Sequence, residues 1–492
     1  MLVGLVIGLL IAYYLYRELY GKRKNLPPGP TPWPVAGNIL QLDQLYPEKT
    51  LFDWGKKYGP VFTVWLPLPM LVVNDYDLMK ETFLKQGDTF AGRPELFINR
   101  ALLKGNYGLF VTNGKMWREN RRFSLHALRD FGIGRNILQP QIMDQALQMI
   151  DLLHNSAGEP ITLLEPFTFG VANVINVLAF GYAWKVGDPE MLRFMKLFDV
   201  ILALFQHPSI LLLESYPWLR HFEPPLPIGF KRLNEANDAF FKFILDEIEK
   251  HKKTFNEDEP PRDYTDAYLL EMRKRQKEGE GDLFTEWQMA VSIGDLWGAG
   301  FATTVATLRF AIIYLLNNPL VQQKLQEEMD RVIGNENELT MDDQKRLPYL
   351  CATIQEVQRV ANVVPINVQH TVTEDVVVNG FLIPKDTQVI AQTPSLHLDE
   401  KLFDEPEKFM PERFIDADGH FVKNDHVLPF SIGKRACMGE SLARMELFLF
   451  LGTLIQRCDF RTVDGVTPPL IVTQPGFLHT PVPYKCRVLP RK

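Results

Sequence analysis

An almost unbroken apolar run opens the chain from Met1 to Tyr16, ending in Tyr13-Tyr14-Leu15-Tyr16, and Arg17, Lys22, Arg23 and Lys24 follow it. A cleaved signal would place charge before the apolar run and small residues after it, and here the order is reversed. Leu19 and Tyr20 extend the run toward the ~20 residues that cross a bilayer, and the tyrosines and the positive charge on the chain side predict a signal anchor with its body in the cytosol. Residues 1–20 are therefore read as a transmembrane anchor. Residues 21–30 are read as a basic hinge, because Leu26-Pro27-Pro28-Gly29-Pro30 cannot continue a helix. Further on, Val61–Leu66 and Met70–Val73, separated by Pro67-Leu68-Pro69, predict a strand hairpin. Little else before residue 370 reads as strand, and helical periodicity fills most of the remainder, including 160–224 and 233–272. Thr285-Glu286-Trp287-Gln288 is a capping-box pattern, and periodicity then runs to the stop at Asn317-Asn318-Pro319, which predicts a helix of ~33 residues. The fold class is mainly α with a small β region (α+β), and no internal linker divides residues 31–492.

Composition narrows the partners more than the fold. A formal net charge of -7 gives no reason to expect nucleic acid. Hydrophobic content of 46% is ample for one large core. Four cysteines, Cys351, Cys437, Cys458 and Cys486, are widely spaced without a C-x-x-C, which argues against a disulfide framework and for a reducing compartment.

Chemistry concentrates in Phe430-Ser431-Ile432-Gly433-Lys434-Arg435-Ala436-Cys437-Met438-Gly439, which runs into the helical pattern starting at Glu440. A thiol just before a helix N-terminus meets free N–H groups and the positive end of the macrodipole, which favour the metal-binding thiolate. Gly433 and Gly439 allow a tight loop whose backbone approaches something flat and bulky, and Arg435 supplies a cation suited to a carboxylate. Three other stretches share this flavour. Trp117 and Arg121 lie four apart on one helix face, Glu356 and Arg359 three apart on another, and Gly294, Gly298 and Gly300 interrupt the long helix. Taken alone, these patterns also suit a solvated basic face, a surface salt bridge, and room for a flat ligand or a kink.

The pattern F-x-x-G-x-R-x-C-x-G, with Ala443 six beyond the cysteine, resembles the haem-ligand signature of the cytochrome P-450 family. W-x-x-x-R, E-x-x-R and Pro411-Glu412-Arg413-Phe414 fit the same family in the same order. The resemblance runs from the proline hinge to Phe477 and is closest to animal microsomal members. It implies a haem domain over 31–492 with haem b, a Cys437 axial ligand to iron, and Trp117, Arg121, His370 and Arg435 as propionate partners. Glu356, Arg359 and Arg413 would form a structural charge network. Phe97, Ile98, Phe110, Phe301, Val364 and Phe477 would wall an apolar substrate pocket, with Val363–Ile366 as a strand edge. Ala299-Gly300-Phe301-Ala302-Thr303 resembles the oxygen-binding motif, with Thr303 relaying protons. The usual acid position is Ala302, however, so protons would come from water or a neighbour such as Asp295.

The implied activity is that of a haem-thiolate monooxygenase acting on a fatty acid, steroid or xenobiotic at the endoplasmic reticulum membrane. Electrons would come from NADPH through the separate flavoprotein NADPH–cytochrome P-450 reductase, with cytochrome b5 as a further partner, since no Rossmann glycine fingerprint is present. Arg118, Arg122, Arg129 and Lys434 would receive the acidic redox partner. Ala302 motivates an alternative: a haem-thiolate isomerase or dehydratase that rearranges a lipid hydroperoxide without O2. A non-enzymatic haem carrier is the third reading.

Overall fold

The computed structural model describes residues 2–19, 21–34, 36–66, 68–133, 136–205, 207–463 and 467–491. Met1 and Tyr20 of the expected anchor and Pro67 of the expected hairpin turn lie outside them, as do the side chains of Leu19, Lys22 and Leu211.

Helix α1 (Leu2–Leu19) opens the chain, and the helices that frame the site are α2 (Gly114–Asp130), α3 (Leu164–Phe180), α4 (Pro189–Phe205), α5 (Phe230–Thr254), α6 (Glu286–Asn317), α7 (Pro348–Ala361) and α8 (Glu440–Arg457). Val6, Leu9, Leu10, Tyr13 and Tyr16 of α1 are exposed, an apolar series of large side chains turned to solvent. The expected helical stretch over 160–224 breaks into α3, α4, Pro208–Ser215 and a 3-10 turn over Pro217–Phe222. The stretch over 233–272 falls in α5 and in Tyr264–Lys277, with irregular chain between them.

The hairpin pairs β1 (Val61–Leu66) with β2 (Leu68–Val73), and its turn is tighter than the sequence suggests, with Leu66 opposite Leu68 and Trp65 opposite Pro69. Proline is tolerated in this central strand because the parallel ladder from β2 to β4 (Gln388–Ala391) starts only at Met70. With β3 (His370–Thr371) the sheet order is β1-β2-β4-β3. Val363–Ile366 is irregular chain and not a strand edge: α7 ends at Asn362 in the left-handed region (φ 40°), and the backbone bends there.

Thr285 caps α6 by accepting a hydrogen bond from the Gln288 N–H at 3.1 Å, and the helix spans 32 residues. The longer run Gly281–Asn317 has the length and hydropathy of a membrane span, but 78% of its apolar window is buried inside the protein, so it is a core helix. Packing explains its glycines. An added Cβ would lie 3.1 Å from Phe241 at Gly294, 2.8 Å from Phe198 at Gly298 and 2.6 Å from Ile175 at Gly300. These glycines therefore admit side chains of α5, α4 and α3 into contact with α6, and a flat ligand is not needed to account for them.

Candidate haem-thiolate site

Cys437 sits two residues before the Gly439 cap of α8, and its N–H donates to the Phe430 carbonyl at 2.9 Å, which closes the loop. Gly433 holds φ 90°, where a Cβ would approach the Phe83 carbonyl oxygen to 2.1 Å, so only glycine fits. Cys437 is exposed as a residue, while its sulfur lies among protein atoms. Enclosure pushes its pKa up, against the pull of the Gly439 N–H and Arg121. The expectation of a thiolate prepared by the helix terminus is therefore corrected: desolvation of the thiol outweighs the N–H and dipole terms. A bound metal ion would reverse that balance, because a coordinated thiol is deprotonated.

Around this loop the chain gathers cations. The Arg435 guanidinium stacks 3.7 Å from the Trp117 ring centroid and donates to the carbonyls of Ala91 (2.8 Å) and Thr112 (2.6 Å). Arg121 donates to the Ala436 carbonyl beside the cysteine. Arg93 donates to the Gln369 carbonyl at 2.7 Å, and His370 Nδ1 meets the Phe90 carbonyl at 2.7 Å. Burial lowers the pKa of Arg435 to about 8 and that of Arg93 to about 9, and the guanidiniums add to this by mutual repulsion. His370 is likewise pushed down by burial and by Arg93. Among the described residues none of the three arginines pairs with a carboxylate. Trp117 Nε1 and Arg435 Nη1 are buried without a hydrogen-bond partner. Three enclosed cations and two idle donors form a cradle that requires an anion from outside the chain. A dianionic porphyrin beside the Cys437 thiol fits it.

The sequence reading names Trp117, Arg121, His370 and Arg435, and the structure brings them together. It misses Arg93, whose partners Phe110 and Gln369 lie far along the chain and leave no local signal in the sequence.

On α6, Thr303 Oγ1 donates to the Ala299 carbonyl at 2.8 Å, and Ala302 presents only a methyl group. Asp295 does not stand beside them. Its Oδ2 accepts the N–H groups of Leu109 (2.6 Å) and Phe110 (3.0 Å), so it latches the loop before α2. Burial raises its carboxyl to about 6. The residues expected to wall the pocket differ in their surroundings. Phe301 is buried against Phe198 and Trp297, and Ile98 is buried in a satellite core with Ile210 and Leu213. Phe97 stacks obliquely on Phe230, Val364 is half-buried, and Phe110 and Phe477 are exposed. Arg118, Arg122 and Arg129 are exposed on α2, where Arg122 pairs with Glu119, and Lys434 pairs with Asp88.

Beneath the loop, Glu356 and Arg359 are fully buried and bidentate, at 2.7 and 2.8 Å. Arg413 joins Glu356 at 3.0 Å, and Arg359 also donates to the carbonyls of His397 and Pro406 at 2.6 Å. This is a buried network and not a surface pair. It fastens α7 to the chain that leads into the cysteine loop.

A family model described as Cytochrome P450 matches residues 27–488. "Probable cytochrome P450 CYP36A1" of Caenorhabditis elegans is 40% identical over 485 residues, covering 98% of each chain. "Cytochrome P450 2C16" of Oryctolagus cuniculus is 37% identical over 100% of this chain and 99% of its own. "Cytochrome P450 2C7" of Rattus norvegicus is 37% identical over 99% and 98%.

Proposed function

The chain belongs to the cytochrome P450 family, and from that premise we propose that Cys437 is the axial ligand of its haem b, in a monooxygenase that acts on a lipophilic substrate. The observation that carries this reading is the cradle of Arg93, Arg121 and Arg435 around the cysteine loop, where among the described residues no carboxylate pairs with them. Arg93, Trp117, Arg121, His370 and Arg435 would hold the two propionates. Each charge-assisted hydrogen bond adds ~1.5–3 kcal/mol, and the dianion relieves the repulsion between the guanidiniums.

The group, when bound, supplies activation of O2 for insertion of one oxygen atom into the substrate. The chain's own residues set the conditions. Cys437 gives up its proton on ligation. Gly433 keeps the loop against Phe83, and the Glu356–Arg359–Arg413 network fixes the loop's approach. Thr303 holds its hydroxyl on the α6 wall, against the Ala299 carbonyl. Phe301, with Phe198 and Trp297, excludes water from that wall, and Phe97, Ile98, Phe110, Val364 and Phe477 are the remaining residues assigned to the substrate side.

NADPH reduces a separate flavoprotein, the P-450 reductase, which docks on the cysteine side near Arg118 and Arg122; cytochrome b5 is the second donor. The exposed apolar residues of α1, with Arg17 in its last turn, support a single-pass anchor in the endoplasmic reticulum membrane with a cytosolic haem domain. Ala302 favours one second reading, a hydroperoxide isomerase or dehydratase. The two are separated by incubating the purified protein with fatty acid plus reductase and NADPH, and with fatty-acid hydroperoxide alone. Product formed only in the first mixture supports the monooxygenase. Hydroperoxide turnover without reductase, and no NADPH-dependent product, would replace it with the isomerase.

A further inference from the structure

A cavity between the end of α1 and the edge of the sheet has no part in the chemistry above. Its volume is about 360 Å³, within the range of small-ligand sites. β1 is the outer strand of its sheet, and the proline hinge covers the strand's free edge. The Thr63 N–H donates to the Pro28 carbonyl at 3.0 Å, the Asn38 N–H to the Trp65 carbonyl at 2.7 Å, and the Trp65 N–H to Asn38 Oδ1 at 2.8 Å. An added Cβ on Gly29 would lie 2.0 Å from the Thr63 carbonyl oxygen, so the hinge lies flat on the strand only with glycine there. These contacts give the cavity fixed walls. Thr63 and Trp65, two apart and so on one face of β1, form one wall, and Tyr16 from the last turn of α1 forms another.

Two independent features define what the cavity takes. Its charged wall is all positive: Arg23 and Lys24 line it, and among the described residues no acid does. The Arg23 guanidinium is held in place, with Nη2 donating to the Gly29 carbonyl at 2.8 Å and Nη1 to Thr31 Oγ1 at 3.1 Å. The second feature is Thr63, which is 4% exposed and whose Oγ1 has no hydrogen-bond partner. A buried hydroxyl without a partner carries a cost that an incoming acceptor oxygen removes. Fixed cations beside an idle hydroxyl donor suit a phosphate group. Position selects its source. Tyr16 brings the cavity to the end of the apolar helix, and Arg17 follows it directly. Basic side chains at the cytosolic end of a membrane helix attract anionic lipid headgroups.

We propose that this cavity seats the phosphate of an anionic phospholipid headgroup, with Arg23 and Lys24 as its cations and the Thr63 hydroxyl as its neutral donor. This rests on the reading of α1 as a membrane anchor. A headgroup seated there ties the proline hinge to the bilayer surface and so sets the depth at which the haem domain sits.

The test uses the full-length haem-loaded protein in phosphatidylcholine vesicles carrying a trace of spin-labelled phosphatidylserine or spin-labelled phosphatidylcholine. The proteins are wild type, Arg23→Gln, Lys24→Gln, Thr63→Val and, as a control, Lys253→Gln on the exposed side of α5. Vesicle flotation reads anchoring, and the fraction of label immobilised by the protein reads headgroup association. Wild type should float and hold phosphatidylserine in preference to phosphatidylcholine. Arg23→Gln should weaken that association about tenfold or more, the loss of a charge-assisted hydrogen bond, and Thr63→Val about two- to tenfold, the loss of a neutral one. Lys24→Gln should weaken it about fivefold and Lys253→Gln less than twofold. Thr63→Val changes no charge, so it separates a built seat from diffuse attraction. Unchanged association in Thr63→Val, or equal losses in Lys24→Gln and Lys253→Gln, would overturn the proposal. So would release of the lipid by millimolar inorganic phosphate at constant ionic strength, which would assign the cavity to the free anion. Should Arg23→Gln fail to fold, Thr63→Val and Lys24→Gln still decide it. Wild type that floats without preferring phosphatidylserine sinks the proposal alone, whereas wild type that stays off the vesicles sinks the anchor reading and the proposal with it.

Discussion

Replacing Glu356 by alanine is the perturbation whose cost the structure specifies best. One carboxylate, fully buried, receives both arms of Arg359, the Nε of Arg413 at 3.0 Å and the Met410 N–H at 2.9 Å. Its removal leaves Arg359, 0% exposed, as an unpaired buried cation, which costs ~3–5 kcal/mol. The orphaned Met410 N–H adds ~1–3 kcal/mol. These groups share one partner and their costs overlap, so the expected total is about 4–6 kcal/mol. At ~2.1 cal/mol/K per residue, a chain of 492 residues has an unfolding entropy of about 1 kcal/mol/K, so the Tm should fall by about 4–6 °C. The assay is a thermal melt of haem-loaded protein at fixed scan rate, together with haem content per chain. Glu405→Ala is the control. It breaks a pair with Lys408 in which both side chains are 58% exposed, and it should cost no more than ~1 kcal/mol. Glu356→Ala melting within a degree of wild type with full haem content would refute the reasoning.

Arg93→Met should load haem but release it about 10–100-fold faster to an excess of apo-globin, the equivalent of one charge-assisted hydrogen bond; an unchanged release rate would remove Arg93 from the cradle. Gly433→Ala places a Cβ 2.1 Å from the Phe83 oxygen at a positive φ, so the loop must shift and haem content should collapse while far-UV circular dichroism is retained. Asp295 carries its own pH signature. Its folded carboxyl titrates near 6 and its unfolded one near 3.8, so the native state holds the extra proton between those values. The stability of wild type relative to Asp295→Asn should therefore fall by on the order of 3 kcal/mol as pH rises from about 4 to 6, and stay level above. A difference that is flat across that range would contradict the burial.

The sequence is most legible where local chemistry and long-range packing agree. Thr285 and Asn318-Pro319 carry capping and stop signals that act within one turn, and α6 begins and ends there. The cysteine loop reads equally well, because Gly433 and the cysteine before α8 are local requirements. Arg93 does not announce itself: its role depends on Gln369, Phe110 and Arg121, which are distant in sequence. The glycines of α6 mislead for the same reason. Their neighbours Phe241, Phe198 and Ile175 come from three other helices, and no periodicity along α6 records them. Val363–Ile366 has β-branched composition without strand pairing, because the left-handed turn at Asn362 sets its course. The thiol of Cys437 divides the same way: the helix-terminus field on it can be read locally, whereas its burial by chain distant in sequence cannot.

The central claim, that Cys437 is the thiolate ligand of a bound haem, is tested most directly by the absorption spectrum of the reduced, carbon-monoxide-bound protein beside its Cys437→Ser variant. The account predicts a Soret band strongly red-shifted from that of histidine-ligated haem in wild type, and its loss in the variant. A histidine-like band in wild type, or a red-shifted band that survives the substitution, would contradict it.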